Sequence, residues 1–184
     1  MKDSKIATLE AQRISLLHKL ERVSEKNLNQ DLRKGKWSIL QVLEHVIVCE
    51  ELSIQYAFRK ITQPDSLERV GVKSKVLSKI VTLGLGLKLK HEAPSVTKPN
   101  SDRNTSLDTL RERWEISRDN LEELSIQSTG FLELGIGKHP SIGSMSFSQI
   151  LAFFRAHYNH HLVQINTLFE LAMANQDKNG SDKK

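Results

Sequence analysis

The stretch that decides the fold is residues 154–165, FRAHYNHHLVQI, inside a long apolar segment near the C-terminus. Three of the chain's seven histidines fall within five of its residues. Steps of three and four residues along the segment trace one heptad seam, of the kind that packs against other helices. The seam reads Ile150, Phe154, His157, His161, Gln164 and Leu168. The pattern predicts a core helix that carries imidazoles on its buried face.

The composition indicates a single helical domain. A chain of 184 residues suits one domain and is long enough to bury a core. Hydrophobic residues make up 38% and charged residues 27%, as in ordinary globular proteins. Proline and glycine are sparse, and no run alternates strictly between apolar and polar residues. These features favour an all-α protein.

The sequence also predicts the cellular location of the protein and the partners it binds. No apolar run reaches the roughly 18–20 residues that span a bilayer, and the start, MKDSKIATLEAQR, lacks the apolar centre of a signal peptide. The only cysteine, Cys49, cannot form a disulfide within the chain. We therefore expect a cytoplasmic protein with no membrane partner. The basic residues are dispersed and lack interleaved aromatic residues, so we also expect no nucleic-acid partner.

Amphipathic spacing and chain breakers divide the sequence into four long helices joined by loops. Ser38 with Gln41, and Ser146 with Gln149, have the S-x-x-Q spacing of a capping box at a helix start. The pattern predicts a four-helix bundle over residues 1–174 and a disordered tail over residues 175–184. The predicted helices lie near residues 5–25, 38–62, 105–125 and 146–174.

The link over residues 65–104 is basic, with no acidic residue between Glu68 and Glu92. We predict a short helix from about Ser66 to Val81 and mostly non-helical chain after residue 84. A basic amphipathic segment of this kind can bind a membrane surface. A connection that crosses the end of the bundle is the interpretation we prefer.

The histidine pattern points to a metal site. His157 and His161 lie one helical turn apart on the seam, and two buried imidazoles are costly unless their nitrogens have partners. A hydrogen-bonded pair without metal is the alternative. His45 lies midway along the apolar second helix, in QVLEHVIVCE. Three buried histidines from two helices match a three-ligand metal site with an open position.

The other candidate ligands have weaker patterns. His18 lies beside charged residues at a predicted solvated edge, while His91 and His139 fall in predicted loops. His160 lies to the side of the seam and is either a hydrogen-bonding partner of the ligands or an alternative ligand. Cys49, one turn after His45, suits a soft metal, but a lone buried cysteine is more often a small core residue.

Three motifs make the chain resemble the DinB/YfiT superfamily of metal-dependent enzymes. They are WSILQVLEHV (37–46), HPSIGSMSFSQIL (139–151) and HYNHHLVQI (157–165). The resemblance implies an up-down-down-up bundle with a crossover between the second and third helices, often as a homodimer. It also implies a divalent cation bound by His45, His157 and His161. Zinc and nickel are favoured, with manganese and iron as alternatives.

The resemblance also indicates the chemistry. Some relatives resemble hydrolases, and others resemble transferases that use a low-molecular-weight thiol such as bacillithiol or mycothiol. We predict a metal-dependent enzyme that acts on a small-molecule substrate, with thiol S-transfer preferred over hydrolysis. The alternative is a non-enzymatic helical interaction or stress protein whose metal site is structural or vacant. A metal position that opens into a pocket would favour the enzyme.

Overall fold

Six α-helices and one small hairpin make up the part of the chain that the computed structural model describes. That part covers residues 3–86, 97–99 and 105–181, with side chains to residue 176 in the last range. The elements are α1 (Ser4–Leu20), α2 (Glu25–Asn29), α3 (Ile39–Ile61), α4 (Val72–Gly86), α5 (Leu107–Gln127), β1 (Gly137–His139), β2 (Gly143–Met145) and α6 (Phe147–Ser181).

The four longest helices, α1, α3, α5 and α6, pack side by side. Both α1 and α3 contact α5 and α6, while α4 packs on the outside of α6. The all-α class is confirmed. The up-down-down-up order and the crossover stay predictions, because most of the link between α4 and α5 lies outside the described residues.

The predicted start of the second helix is confirmed. The Ser38 side chain accepts from the Gln41 backbone N–H, and the Gln41 side chain accepts from the Ser38 backbone N–H. This capping box begins α3 at Ile39 and thereby sets the phase of the helix that carries His45. At the start of α6, Gln149 Oε1 likewise accepts from the Ser146 backbone N–H at 2.9 Å.

The first predicted helix, 5–25, is two helices. Ser24 has extended backbone angles and separates α1 from the short α2. Tertiary contacts account for the break, because α2 buries Asn27 and Leu28 against the bundle. The Asn27 amide donates to the backbone carbonyl of Ala172 in α6 at 3.2 Å. Periodicity alone does not reveal such a turn.

The predicted loop over residues 127–145 contains the β1–β2 hairpin. The strands pair antiparallel, with His139 opposite Gly143. Gly143 has φ +83°, a left-handed conformation that suits glycine at the end of a three-residue hairpin loop. At Gly137, an added Cβ would lie 2.7 Å from Ile150 Cδ1, so the hairpin packs closely on the start of α6.

Two helix ends differ from the expectation. The helix in the basic link runs over Val72–Gly86 rather than from about Ser66 to Val81. The predicted non-helical chain after residue 84 falls mostly outside the described residues. Helix α6 continues to Ser181, into the predicted tail of residues 175–184, whose disorder stays a prediction. Among the described helices, none combines the length and apolarity needed to cross a membrane.

A buried ion pair joins α3 to α5. Glu50 is 1% exposed and accepts from the Trp114 indole N–H at 2.9 Å and from the Arg118 guanidinium at 3.0 Å. Arg118 is 3% exposed. Removal of one partner would leave the other charge buried without compensation, which costs more than the pair itself contributes.

We expect Glu50→Ala to lower the free energy of unfolding by about 3 kcal/mol or more, because it leaves Arg118 and Trp114 without their acceptor. The matched control is Glu51→Ala, since Glu51 pairs with Arg113 at 2.8 Å in a partly exposed position. That control should cost about 1 kcal/mol or less. Urea unfolding followed by circular dichroism measures both. Equal losses would contradict this assignment.

Candidate metal centre

Three imidazole rings converge where α3 meets α6. The ring centroids of His45 and His157 are 5.0 Å apart, those of His45 and His161 4.7 Å, and those of His157 and His161 4.6 Å. The three side chains belong to residues that are 3%, 7% and 8% exposed, in sequence order. The predicted cluster of three buried histidines is therefore present.

Local sequence explains the arrangement. His157 and His161 are four residues apart on α6 and so lie one above the other on the same face. On α3, His45 lies among buried residues, with Leu43 and Ile47 both at 0% exposure. The packing of α3 against α6 brings the two apolar faces together, and the imidazoles meet within that contact.

Hydrogen bonds on the outer ring nitrogens set the tautomers. His45 Nδ1 lies 2.7 Å from the backbone carbonyl of Thr97. A carbonyl only accepts, so Nδ1 carries the proton and Nε2 presents a lone pair. His161 Nδ1 lies 3.2 Å from Gln164 Oε1, which has the same effect. Partners of this kind orient metal-binding histidines.

The inner nitrogens of two histidines have the spacing that a shared cation requires. His45 Nε2 and His157 Nε2 are 3.2 Å apart. Two nitrogens that bind one tetrahedral zinc at about 2.0–2.1 Å lie roughly 3.3 Å from each other. The donor set of this buried site therefore fits a divalent cation of that size.

Cys49 belongs to the same cluster. Its Sγ lies 4.0 Å from both ring nitrogens of His45. Ligand atoms of His45, Cys49 and His157 all lie within 4.8 Å of one another, so this group could hold a metal. Burial raises the pKa of the Cys49 thiol to about 12, which favours the neutral thiol. His161, the third ligand predicted from the sequence, is not a member of this group.

Burial also keeps the imidazoles neutral. It lowers the pKa of His161 to about 3, and the nearby His45 ring adds to the effect. It lowers the pKa of His157 well below its usual value, with His161 and His45 contributing. The pKa of His45 is lowered mainly by burial, although the bond to Thr97 opposes the shift. Neutral imidazole is the form that binds metal.

Aromatic rings surround the cluster. Trp37 lies 5.2 Å from the His45 ring, and Phe153 stacks on the His157 ring at 5.3 Å. The ring of His139 contacts Phe153 at 4.8 Å. His160 lies 5.0 Å from His161 and donates from Nδ1 to the Leu85 carbonyl at 2.9 Å. Its ring thus borders the cluster, and its Nδ1 proton is taken by a carbonyl of α4.

Other residues are placed away from the site or were missed. His18 lies at the surface beside Glu21, as predicted, and His91 lies outside the described residues. Sequence reasoning missed Thr97, since a backbone carbonyl leaves no pattern. The sequence pattern placed Gln164 on the heptad seam but did not predict its hydrogen bond to His161. Glu44 turns toward Arg113 at 3.4 Å and so does not serve the histidines.

Comparison with known proteins gives one match. A family model described as the DinB superfamily matches residues 8–165. These residues include all three converging histidines, the whole of α3 and the part of α6 that carries His157 and His161. No curated protein and no solved structure matches the chain.

The metal-free protein should lose stability as the pH falls below about 6.5. The unfolded chain binds a proton on each histidine near that pH, whereas folded His161 does so only near pH 3. The free energy of unfolding therefore falls through this window and is unaffected above it. His161 alone contributes about 2 kcal/mol between pH 6.5 and 5.

Urea unfolding of chelator-treated protein at both pH values measures this loss. The variant His161→Asn should show a smaller loss than the parent. His18→Asn, at an exposed histidine, should behave like the parent. A pH dependence that is the same in all three proteins would contradict the buried neutral state of His161.

Proposed function

The chain belongs to the DinB superfamily, and from that premise we propose that it is a metal-dependent enzyme in which His45, His157 and His161 hold a divalent cation. The observation that carries the proposal is the convergence of three buried, neutral imidazoles. Two of them have Nδ1 occupied by a fixed acceptor, which leaves Nε2 available inside the cluster.

The donor set supports a borderline or soft cation. Imidazole suits zinc and nickel, whereas manganese prefers the oxygen ligands that the proposed set lacks. When bound, such a cation supplies Lewis acidity, which favours the deprotonated form of a thiol or of water. The chain supplies neutral ligands only, so the positive charge is not cancelled. The rings of Trp37 and Phe153 lie against the imidazoles of His45 and His157.

The proposed reaction is S-transfer from a low-molecular-weight thiol to a small electrophilic substrate. The thiol sulfur forms a bond to an electrophilic carbon, the leaving group departs with its bonding pair, and the thiol proton passes to water. Hydrolysis, with water in place of the thiol, ranks second. The preference rests on the softness of thiol sulfur, which matches the proposed metals.

Family membership supports further parts of the proposal. We include the up-down-down-up order of the four long helices, a homodimer and a cytoplasmic location. Each follows from the resemblance of the three motifs rather than from a contact between described residues.

One observation favours the second candidate, a non-enzymatic interaction protein with a structural metal. Two hollows on the surface of the described part of the chain lie away from His45, His157 and His161, which are themselves at most 8% exposed. One lies between α1 and α5 beside Arg13 and Arg111, and the other lies beside Tyr56 and the hairpin. A molecule bound in either hollow would not reach the three histidines, and their burial is what a structural metal site requires.

Replacement of one central histidine tests the enzyme. We expect His157→Ala to abolish metal binding and turnover while the bundle stays folded, because it removes one ligand and one small buried ring. Metal analysis of tag-free protein, circular dichroism and a thiol-conjugation assay measure the three properties. His18→Ala is the control, since this exposed histidine should leave all three unchanged.

Unchanged turnover in a metal-free His157→Ala protein would rule out the metal as the catalytic centre. Metal binding without turnover toward any thiol or hydrolysable substrate, in parent protein, would instead favour the structural role.

A pair of variants identifies the third ligand. We expect His161→Ala to weaken zinc binding by about 100-fold or more, as loss of a direct ligand should exceed the usual effect of an outer partner. Cys49→Ser should change zinc affinity by less than about threefold, because the proposed set holds no thiolate. Competition against a chromophoric chelator measures both. The reverse order would assign the site to His45, Cys49 and His157.

A further inference from the structure

Helix α4 presents an apolar stripe to solvent. Val72, Val76, Ile80 and Leu83 are 77%, 50%, 58% and 65% exposed. Their spacing of four, four and three residues places them on one face, within about 80° around the helix axis. We call this set the α4 stripe. It runs for roughly 16 Å along the helix at 1.5 Å per residue.

The stripe points away from the bundle. On the opposite side of α4, Ser78 and Leu85 are 5% and 7% exposed, and the helix packs there against α6. The half-buried Leu77 and Val81 lie on that same inner side. The helix is thus apolar on two opposite faces, and only the inner face has a partner among the described residues.

Lysines flank the stripe. Lys73 lies on one side of it, and Lys75 and Lys79 lie on the other, all three exposed. Lys75 also contacts Glu133 Oε2 at 3.3 Å, in a pair in which both side chains are more than half exposed. The sequence from residue 69 to residue 91 holds six basic residues and no acidic one, which exceeds the net charge of +5 for the whole chain.

We infer that α4 docks on the surface of an anionic lipid membrane. An apolar stripe between flanking lysines is the pattern of a helix that lies in the membrane interface, with its apolar side chains among the acyl chains and its ammonium groups at the phosphates. The face is a convex ridge, which suits a fluid surface. The helix lies on the membrane and does not cross it.

Charge argues against a second copy as the occupant. Two α4 stripes packed face to face would bring Lys73, Lys75 and Lys79 of both copies together, and like charges at that range are unfavourable. An anionic surface offers the opposite charge on both sides of the stripe. Charge complementarity therefore selects the lipid.

The distribution of acidic residues supports one orientation. Asp108, Glu112, Glu115, Asp119 and Glu123 are exposed along α5. This helix packs on α1 and α3, whereas α4 packs on α6. The basic and acidic faces thus belong to helices with different neighbours. Near an anionic surface, the field would turn α4 toward the lipid.

The inference departs from the expectation of no membrane partner. That expectation rested on the sequence, which did not reveal which apolar residues of the link face the bundle. Once the inner face is assigned to Ser78 and Leu85, the four residues of the α4 stripe stay at least half exposed in the described structure.

The test is co-sedimentation of the full chain with vesicles of phosphatidylcholine alone and with one-quarter phosphatidylglycerol, at 0.1 M and 0.5 M salt. We expect binding to the anionic vesicles at low salt, at least tenfold weaker binding to the neutral ones, and weakening by high salt. Lys73→Gln with Lys79→Gln should weaken binding roughly 30-fold. Ile80→Gln with Leu83→Gln should weaken it at least about tenfold.

Matched controls alter the same residue types elsewhere. Ile116→Gln with Ile126→Gln changes two residues of α5 that are 60% and 73% exposed. Lys34→Gln with Lys36→Gln removes two exposed lysines. Both controls should bind anionic vesicles about as tightly as the parent.

Three results would overturn the inference. The first is no binding to anionic vesicles at 0.1 M salt. The second is unchanged binding in both α4 variants. The third is self-association, seen by light scattering, that is lost in the Ile80→Gln, Leu83→Gln protein, since that would assign the face to a second copy of the chain.

Discussion

The 3.2 Å contact between His45 Nε2 and His157 Nε2 is the constraint on which the rest of the structure depends. A buried imidazole needs hydrogen-bond partners for its nitrogens. Without them, its burial costs more free energy than its packing contributes. The contact satisfies this demand only if α3 and α6 meet at one register. The capping box at Ser38 sets where α3 begins, and the hairpin that packs on Ile150 lies against the start of α6. The capping box and the hairpin thus place the two helices in the register that the contact between His45 and His157 requires.

The same demand ties the link between α4 and α5 to the histidines. The Thr97 carbonyl accepts from His45, and the Leu85 carbonyl accepts from His160, so one imidazole is bonded to the backbone at Thr97 and another to the backbone of α4. A structural change at the histidine cluster would therefore alter the hydrogen bond to the C-terminal end of α4. The proposed metal centre and the proposed lipid-binding face thus share one element, although each stands on its own observations.

Much of the fold was predictable because its determinants are local. Periodicity and the S-x-x-Q spacing located α3, α5 and the start of α6 to within about two residues. The break at Ser24 was not predictable, since it depends on Asn27 reaching α6. The convergence of His45, His157 and His161 followed from their positions on apolar faces. The role of Thr97 did not, because any residue type can offer a carbonyl. Cys49 was underrated for a related reason: a small core residue and a potential ligand have the same sequence pattern.

X-ray absorption spectroscopy of tag-free, zinc-loaded protein tests the central claim most directly, since it counts the imidazoles around the cation. The account predicts three imidazole nitrogens at about 2.0–2.1 Å and no sulfur shell. A sulfur shell or fewer than three imidazoles would contradict this ligand set, and a first shell of oxygen atoms alone would mean that the converging rings are a hydrogen-bonded cluster in the core.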